Sequence, residues 1–118
     1  MMDVEALRLA CLALPGTTED LPFGPETLVI RVGGKIFAFI PLDILPPHRI
    51  ALKCNPDRAQ ELRVQYTAIT GAFHLNKTHW NSIACDGSVP APLVHELIRH
   101  SYDLVRASLP RAVRDNIK

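Results

Sequence analysis

The hydrophobic positions of this chain change their period several times, and each change predicts a new element of secondary structure. Apolar residues from Leu7 to Leu14 recur at the spacing of one helix face, and the Pro-Gly pair at 15–16 ends the run. This pattern predicts an amphipathic helix over residues 3–14. Such a helix would cover one face of a sheet.

A polar connection and a hairpin are predicted next. Residues 17–26 contain two prolines and a glycine, which indicates a loop, and Phe23 is expected to anchor that loop in the core. Period-two alternation on both sides of the Gly-Gly pair at 33–34 then predicts strands over 27–32 and 35–40, joined by a two-residue type I′ turn.

The short turn also predicts which residues of the two strands lie opposite each other. The predicted pairs are Val32 with Lys35, Ile30 with Phe37, and Leu28 with Phe39. The last two pairs should face the core. The residues between them, including Arg31, should lie on the opposite face, which stays more open if helices cover only one side of the sheet.

The second half of the chain predicts two more strands and two more helices. Strands are predicted at 49–53 and 80–85, and helices at 56–66 and between Pro90 and Pro110, with residues 111–118 as a terminal turn or frayed tail. The order of elements predicts an α+β fold, a two-layer α-β sandwich in which two long terminal helices pack on one face of an antiparallel sheet. With 118 residues, the chain is expected to be a single domain over 1–118.

The composition narrows the class of protein. No apolar run approaches the roughly 20 residues of a membrane span. Residues 1–14 carry Asp3, Glu5 and Arg8 within their apolar pattern, which is not typical of a secretory signal, so a cytoplasmic protein is expected.

The cysteines and histidines do not predict a metal site. Cys11, Cys54 and Cys85 are widely spaced with no C-x-x-C motif, which indicates buried, reduced thiols. His95 and His100 are five residues apart on a helix, and that spacing puts them on different faces. We therefore expect no metal, no cofactor and no catalytic constellation.

Charge is unevenly distributed although the formal net charge is only +1. Residues 27–85 contain seven Lys and Arg against three Asp and Glu, whereas residues 1–26 contain one base and five acids. The basic side chains expected on or beside the outer sheet face are Arg31, Arg49, Lys53 and Lys77, with Lys35 at the hairpin tip. They would either form a phosphate-binding patch or simply solvate the sheet face.

The stretch 73–81 concentrates groups suited to recognition. It contains two histidines, two side-chain amides, a lysine and the only tryptophan, at positions His74, Asn76, Lys77, His79, Trp80 and Asn81. Rings beside cations and amides can hold a planar or phosphorylated partner. Alternatively, Trp80 packs in the core with Phe73 and Leu75 as further anchors, and the asparagines fix their own turn.

Several motifs along nearly the whole chain together resemble one family. They are Leu14-Pro15-Gly16-Thr17-Thr18-Glu19, Pro22-Phe23-Gly24, Gly34-Lys35-Ile36-Phe37-Ala38, Leu52-Lys53-Cys54, His74-Leu75-Asn76-Lys77, His79-Trp80-Asn81 and Ser101-Tyr102. In this order they resemble the MmcQ/YjbR family of small bacterial proteins. The resemblance implies a CyaY-like (frataxin-like) fold and a DNA-binding label with a double-wing arrangement of strands. It implies no catalytic residues, because the family has no accepted chemistry.

Two hypotheses about function follow. In the first, a non-enzymatic domain binds DNA: Arg31, Arg49, Lys53 and Lys77 contact phosphates, and His74, Asn76 and Asn81 approach sugars or base edges. In the second, the same face is a concave site for a protein or a small anionic ligand. A cavity too narrow for a duplex beside Trp80 favours the second hypothesis, and basic side chains spread along a flat sheet favour the first.

Overall fold

A computed structural model describes residues 2–72 and 75–117. They form a mixed α+β fold around a six-stranded antiparallel sheet with the order β1-β2-β3-β4-β6-β5. The elements are α1 Val4–Leu12, β1 Thr17–Asp20, β2 Thr27–Val32, β3 Lys35–Pro41, β4 Arg49–Lys53, α2 Pro56–Gln65, β5 Ile69–Gly71, β6 Trp80–Ala84, α3 Ala91–Ala107 and α4 Arg111–Arg114. Within these ranges, no helix is long and apolar enough to cross a membrane.

The helices α1, α2 and α3 cover one face of the sheet and bury a single core. Leu7 of α1, Leu62 of α2 and Leu97 of α3 belong to the same buried cluster as Ile50 of β4 and Ile83 of β6. The opposite face, which we call the open face, has no helix on it in the described part of the chain. Of the two long terminal helices that the sequence predicts, α3 has 17 residues and α1 only 9.

The predicted register of the hairpin is wrong beyond its turn. Val32 lies opposite Lys35 as expected. Between Arg31 and Ile30 the register shifts, because β3 has one extra residue there, Phe37. The observed pairs beyond the shift are Ile30 with Ala38, Val29 with Phe39, and Leu28 with Ile40. A β-bulge of this kind exchanges the two faces for every later residue of the strand.

The bulge is stabilised by contacts with α3. The Phe37 ring is fully buried and meets the Tyr102 ring edge-on, with centroids 5.5 Å apart. The Ser101 hydroxyl donates to the Phe37 carbonyl at 2.6 Å and accepts from the Lys53 N–H at 2.9 Å. Because Phe37 enters the core, Phe39 lies on the open face, where the sequence did not predict it.

Two strands and a short helix lie where the sequence predicts connections. β1 falls in the predicted loop over 17–26, β5 lies in the connection after α2, and α4 lies in the predicted tail. β1 is a polar edge strand with almost no buried side chain, so it lacks the apolar alternation from which strands are recognised. It pairs along its length with β2, and its Glu19 carboxylate accepts two hydrogen bonds from Arg8 at 2.9 and 2.7 Å.

Candidate binding site on the open sheet face

A groove crosses the open face because its floor is made of small side chains. Ala51 of β4 lies directly opposite Ser82 of β6, and Phe39 of β3 lies opposite Ala51 on the other side. Side chains alternate along a strand, so the buried Ile50 and Ile83 point to the core while Ala51 and Ser82 point outward. Two small outward residues beside a large ring leave a depression.

Larger side chains form the walls of this groove. Its volume is about 520 Å³, and its lining residues are Phe23, Thr27, Phe39, Pro41, Arg49, Ala51, Ala72, Leu75 and Ser82. Most of these side chains are apolar, and Arg49 is the only charged residue of the described lining. A volume of this size lies within the usual range of small-molecule sites.

The guanidinium of Arg49 is held inside the groove without an ion pair. Its Nη1 donates to the Ser82 hydroxyl at 3.2 Å, and no carboxylate of the described residues lies within ion-pair distance of it. Hydrogen bonds from Ser88 lower the pKa of Asp86, and Arg49 adds a smaller electrostatic contribution to that shift. A guanidinium has five N–H donors, so most of those of Arg49 remain for a ligand.

Trp80 lies on the open face and not between the sheet and the helices. Its ring meets the Phe39 ring edge-on, with centroids 5.3 Å apart and planes at 73°. Trp80 is half-buried, so it anchors the segment through Phe39 and still reaches solvent. The contact fixes the orientation of the Phe39 ring in the wall of the groove.

Phe23 is also on the open face, and the predicted anchor in the core is therefore wrong. Its side chain is 66% exposed, and its ring stacks near Phe39 with centroids 6.4 Å apart and planes at 21°. The exposed ring forms the outer wall of the groove. Together with Phe39 and the other apolar lining residues, it makes a continuous apolar surface, and such surfaces mark sites of interaction.

The predicted basic residues are not combined in one patch. Arg31, Arg49 and Lys53 share the open face as predicted, but Arg31 pairs with Asp20 at 3.2 Å. Lys35 lies on the side of the helices, where its Nζ donates to the Ser108 carbonyl at 3.5 Å. Arg49 and Lys53 are thus the two cations of this set that remain on the open face without an ion pair among the described residues.

The segment 75–80 is a compact turn held by its own backbone. Asn76 accepts hydrogen bonds from the Thr78 N–H through its side chain and from the Trp80 N–H through its carbonyl, both at 2.9 Å. His79 is half-buried, and its carbonyl accepts from the Cys54 N–H at 2.7 Å. Asn76 thus fixes its own turn, while Lys77 is exposed at the tip. His74, a predicted member of this site, and Phe73, a predicted anchor of the segment, lie outside the described residues.

Asn81 does not face a partner, which corrects the sequence prediction. Its side chain is 2% exposed and points to the side of the helices, because it lies opposite the buried Leu52. Its Oδ1 accepts from Arg63 Nε at 2.6 Å, and its Nδ2 donates to the Ala59 carbonyl at 3.3 Å. The amide therefore ties β6 to α2.

The family of the chain is shown by comparison with known proteins. A model described as YjbR matches residues 12–104. The chain belongs to the YjbR family. It is 29% identical over 113 residues to YjbR of Escherichia coli K12, covering 96% of this chain and 95% of that protein. It is 33% identical to YbdF of Escherichia coli O157:H7, covering 96% of this chain and 91% of that protein.

Two solved structures share the fold of this chain. A crystal structure of the Deinococcus radiodurans protein DR2400 superposes with a TM-score of 0.91 at 40% identity, covering 98% of this chain and 87% of that one. A crystal structure of a Pseudomonas syringae protein gives a TM-score of 0.73 at 26% identity, covering 89% of this chain and 99% of that one. The Escherichia coli relatives are described as uncharacterised, so the similarity to them does not indicate an activity for this chain.

The buried thiols of this YjbR-family chain are protonated. Burial raises the pKa of Cys11 to about 12. Burial also raises the pKa of Cys54 and of Cys85, and nearby Arg58 opposes the shift of Cys54 only in part. Protonated, buried thiols are poor nucleophiles. Within 2–72 and 75–117, no group of three or more His, Cys, Asp or Glu side chains could hold a metal ion.

Four of the lining residues that the sequence reasoning did not assign to a site give the groove its floor and its aromatic walls. They are Phe23, Phe39, Ala51 and Ser82. The period-two pattern of β4 and β6 does place Ala51 and Ser82 on the outer face, and their small size next to Arg49 was the available signal. The bulge that exposes Phe39 depends on α3, and a local pattern does not include that contact.

Proposed function

We propose that this protein is a non-catalytic binding module whose open-face groove binds a small ligand with an apolar body and one anionic group. The observation that carries the proposal is a groove of about 520 Å³ with mostly apolar walls, in which the guanidinium of Arg49 has no ion pair with any residue that the structure describes. Apolar walls with a few fixed polar groups are typical of small-molecule sites.

Arg49 supplies the recognition of charge. Its half-buried position weakens the competition from water, so a hydrogen bond to an anionic oxygen is stronger here than at an exposed arginine. The bond to Ser82 orients the guanidinium before the ligand arrives, which lowers the entropy lost on binding.

The lining supports binding without catalysis. Among the described lining residues, Arg49 is the only titratable side chain, and an arginine does not exchange its proton near neutral pH. General acid-base chemistry would need a second titratable group in the groove. The nearest thiols lie in the core.

Binding of DNA is a second candidate, supported by one observation. Lys53 lies directly opposite Trp80 on the open face, and Trp80 contacts Phe39. Aromatic rings beside cations on an open sheet are how many domains bind single-stranded nucleic acid. A surface that contacts the phosphates along a DNA duplex is less well supported. Arg31 is paired with Asp20, and Lys35 lies on the helix side of the sheet.

The experiment is a calorimetric titration of the protein with octanoate, an apolar anion without a ring. We expect saturable binding at one site. Arg49→Gln should weaken it about tenfold or more, because a charge-assisted hydrogen bond is lost, and Ala51→Leu should abolish it by filling the floor. Lys35→Gln is the matched control, since it removes a cation outside the groove.

Two outcomes would contradict the proposal. One is that octanoate and aromatic carboxylates both fail to bind. The other is that they bind equally well to the wild type and to Arg49→Gln. DNA binding is tested separately with labelled single-stranded and duplex oligonucleotides at low salt. Oligonucleotide binding that weakens in Lys53→Gln, and that octanoate does not displace, would favour nucleic acid as the ligand.

We further propose the CyaY-like arrangement for the fold and the cytoplasm as the compartment. Helices that cover one face of an antiparallel sheet support the first proposal. The second is supported by Cys11, Cys54 and Cys85, which are free thiols and buried. Free thiols persist in a reducing compartment.

A further inference from the structure

We propose that Phe23 and Phe39 form an aromatic clamp, and that the ligand of the groove is a planar aromatic anion such as an aromatic carboxylate. This inference rests on the proposed function and specifies its ligand class. In the clamp, the ring of the ligand lies between the two phenylalanine rings and its anionic group binds Arg49.

The near-parallel orientation of the two rings supports a clamp. Their planes are within 21° of parallel and their centroids are 6.4 Å apart, a separation typical of two aromatic rings in direct offset contact. The ring of a ligand therefore enters only when Phe23 moves outward, and its two faces then replace the contact between the two phenylalanine rings.

The two rings differ in how firmly they are held. Phe39 belongs to β3 and is buttressed edge-on by Trp80 at 5.3 Å. Phe23 belongs to the connection between β1 and β2 and is 66% exposed. Next to it, Gly24 has φ +106°, and a Cβ there would meet nothing within 4 Å. The ring of Phe39 is therefore held in place, and the ring of Phe23 is the one that can move to admit a ligand.

The exposed face of Phe23 gives the clamp its driving force. A ligand ring between Phe23 and Phe39 would remove apolar surface of both side chains from water, and this surface is now partly hydrated. Stacked aromatic pairs add a contribution beyond the buried area. An aliphatic ligand of equal charge would gain the free energy of apolar burial but not that of ring stacking.

The position of Arg49 selects an anionic ring. Arg49 lines the same groove as both phenylalanines, and its planar fork matches a carboxylate in two parallel hydrogen bonds. A neutral ring would leave the guanidinium without an anionic partner, and an aliphatic carboxylate would leave the clamp without a ring. The combination points to one molecule that carries both groups.

The test compares 2-naphthoate, octanoate and the neutral 2-naphthamide by calorimetry. We expect naphthoate to bind about tenfold more tightly than either of the other two. Phe23→Leu should weaken naphthoate about tenfold and octanoate much less, whereas Phe23→Tyr should keep naphthoate affinity within about threefold, because tyrosine also stacks. Near-ultraviolet circular dichroism checks that each variant is folded.

Val64→Ala is the control for loss of an exposed apolar side chain, since Val64 is 90% exposed on α2 and away from the groove. It should change neither affinity. The clamp is overturned if naphthoate and octanoate bind equally and Phe23→Leu affects both alike, a result that leaves binding in the groove intact. Absence of binding by all three probes overturns the clamp and the proposed function together.

Discussion

The hydroxyl of Ser101 donates a 2.6 Å hydrogen bond to the carbonyl of Phe37, the bulged residue of β3. The same hydroxyl accepts from the N–H of Lys53 in β4 at 2.9 Å. It thus bridges two strands beside the two pairs that hold them together, Ala38 with Leu52 and Phe39 with Ala51. Ser101 is fully buried, so this bridge between the two strands lies inside the core.

Replacing Ser101 should therefore be costly. Ser101→Ala leaves a buried carbonyl and a part-buried N–H without their partner, and we expect it to lower the free energy of unfolding by about 1–3 kcal/mol. Urea unfolding followed by the fluorescence of Trp80 measures this change. Ser108→Ala, which removes an exposed hydroxyl at the end of the same helix, should stay within about 0.5 kcal/mol. Equal losses in the two variants would contradict this account of Ser101.

The hairpin turn allows a comparison of two glycines that differ in their surroundings. Gly33 and Gly34 both have positive φ, at +56° and +86°. A Cβ on Gly33 would lie 2.5 Å from Leu109 Cδ1, whereas a Cβ on Gly34 would meet nothing within 4 Å. Gly34→Ala should cost about 1–2 kcal/mol of stability through backbone strain alone.

Gly33→Ala should cost more than Gly34→Ala, by about 1–3 kcal/mol, because the added methyl group also displaces Leu109. Thermal and urea unfolding of the two variants give the comparison. If Gly34→Ala lowers stability more than Gly33→Ala does, the contact with Leu109 does not determine the cost of a side chain at position 33.

His100 should make stability depend on pH. Its Nε2 accepts a hydrogen bond from the Asn55 N–H at 3.2 Å, so the neutral form is the one that fits. Burial lowers the pKa of His100, Arg58 lowers it further, and Glu96 and Asp103 partly oppose both. The unfolded chain then binds the proton at a higher pH than the folded chain does, so stability should fall as pH drops below about 6.5.

The variant His100→Gln should flatten this pH dependence, because glutamine does not titrate. His95→Gln, on an exposed position of the same helix, keeps His100 and should keep the slope. Unfolding free energies measured between about pH 5 and 8 distinguish the two variants. An unchanged slope in His100→Gln would assign the effect to another group.

Arg63 of α2 should stabilise the turn that precedes β6. Its guanidinium donates to Asn81 Oδ1 at 2.6 Å and to the carbonyls of Lys77 and Trp80. Arg63→Lys keeps the charge but loses the planar fork, so we expect a loss of about 1.5–3 kcal/mol in stability. Iodide quenching of Trp80 should also increase as the turn loosens. Arg114→Lys, a like change in α4, should alter neither measurement.

Local patterns predicted the regular elements well. The strand at Arg49–Lys53 and the helix that begins at Pro56 were placed correctly, because alternation and capping residues are signals carried by neighbours in the chain. The thiols of Cys11, Cys54 and Cys85 are buried, as their spacing indicated. Membership of the YjbR family, inferred from the motifs, is confirmed.

Features that depend on distant residues were not predictable in this way. The turn at Gly33 and Gly34 dictates only the first pairs of the hairpin, while the bulge at Phe37 depends on Ser101, 64 residues away. Asn81 was assigned to a partner surface because an amide next to a tryptophan suggests recognition. Its true partner, Arg63, is 18 residues earlier and on another element.

The floor of the groove has a consequence for the family as a whole. Main-chain hydrogen bonds make the pairing of β4 with β6, so a larger side chain at position 51 or 82 would be compatible with the same sheet. A leucine or valine there would close the site while leaving the core untouched. Homologues of one architecture would then divide into members with an open site and members with a closed one, and these two positions would distinguish the two groups.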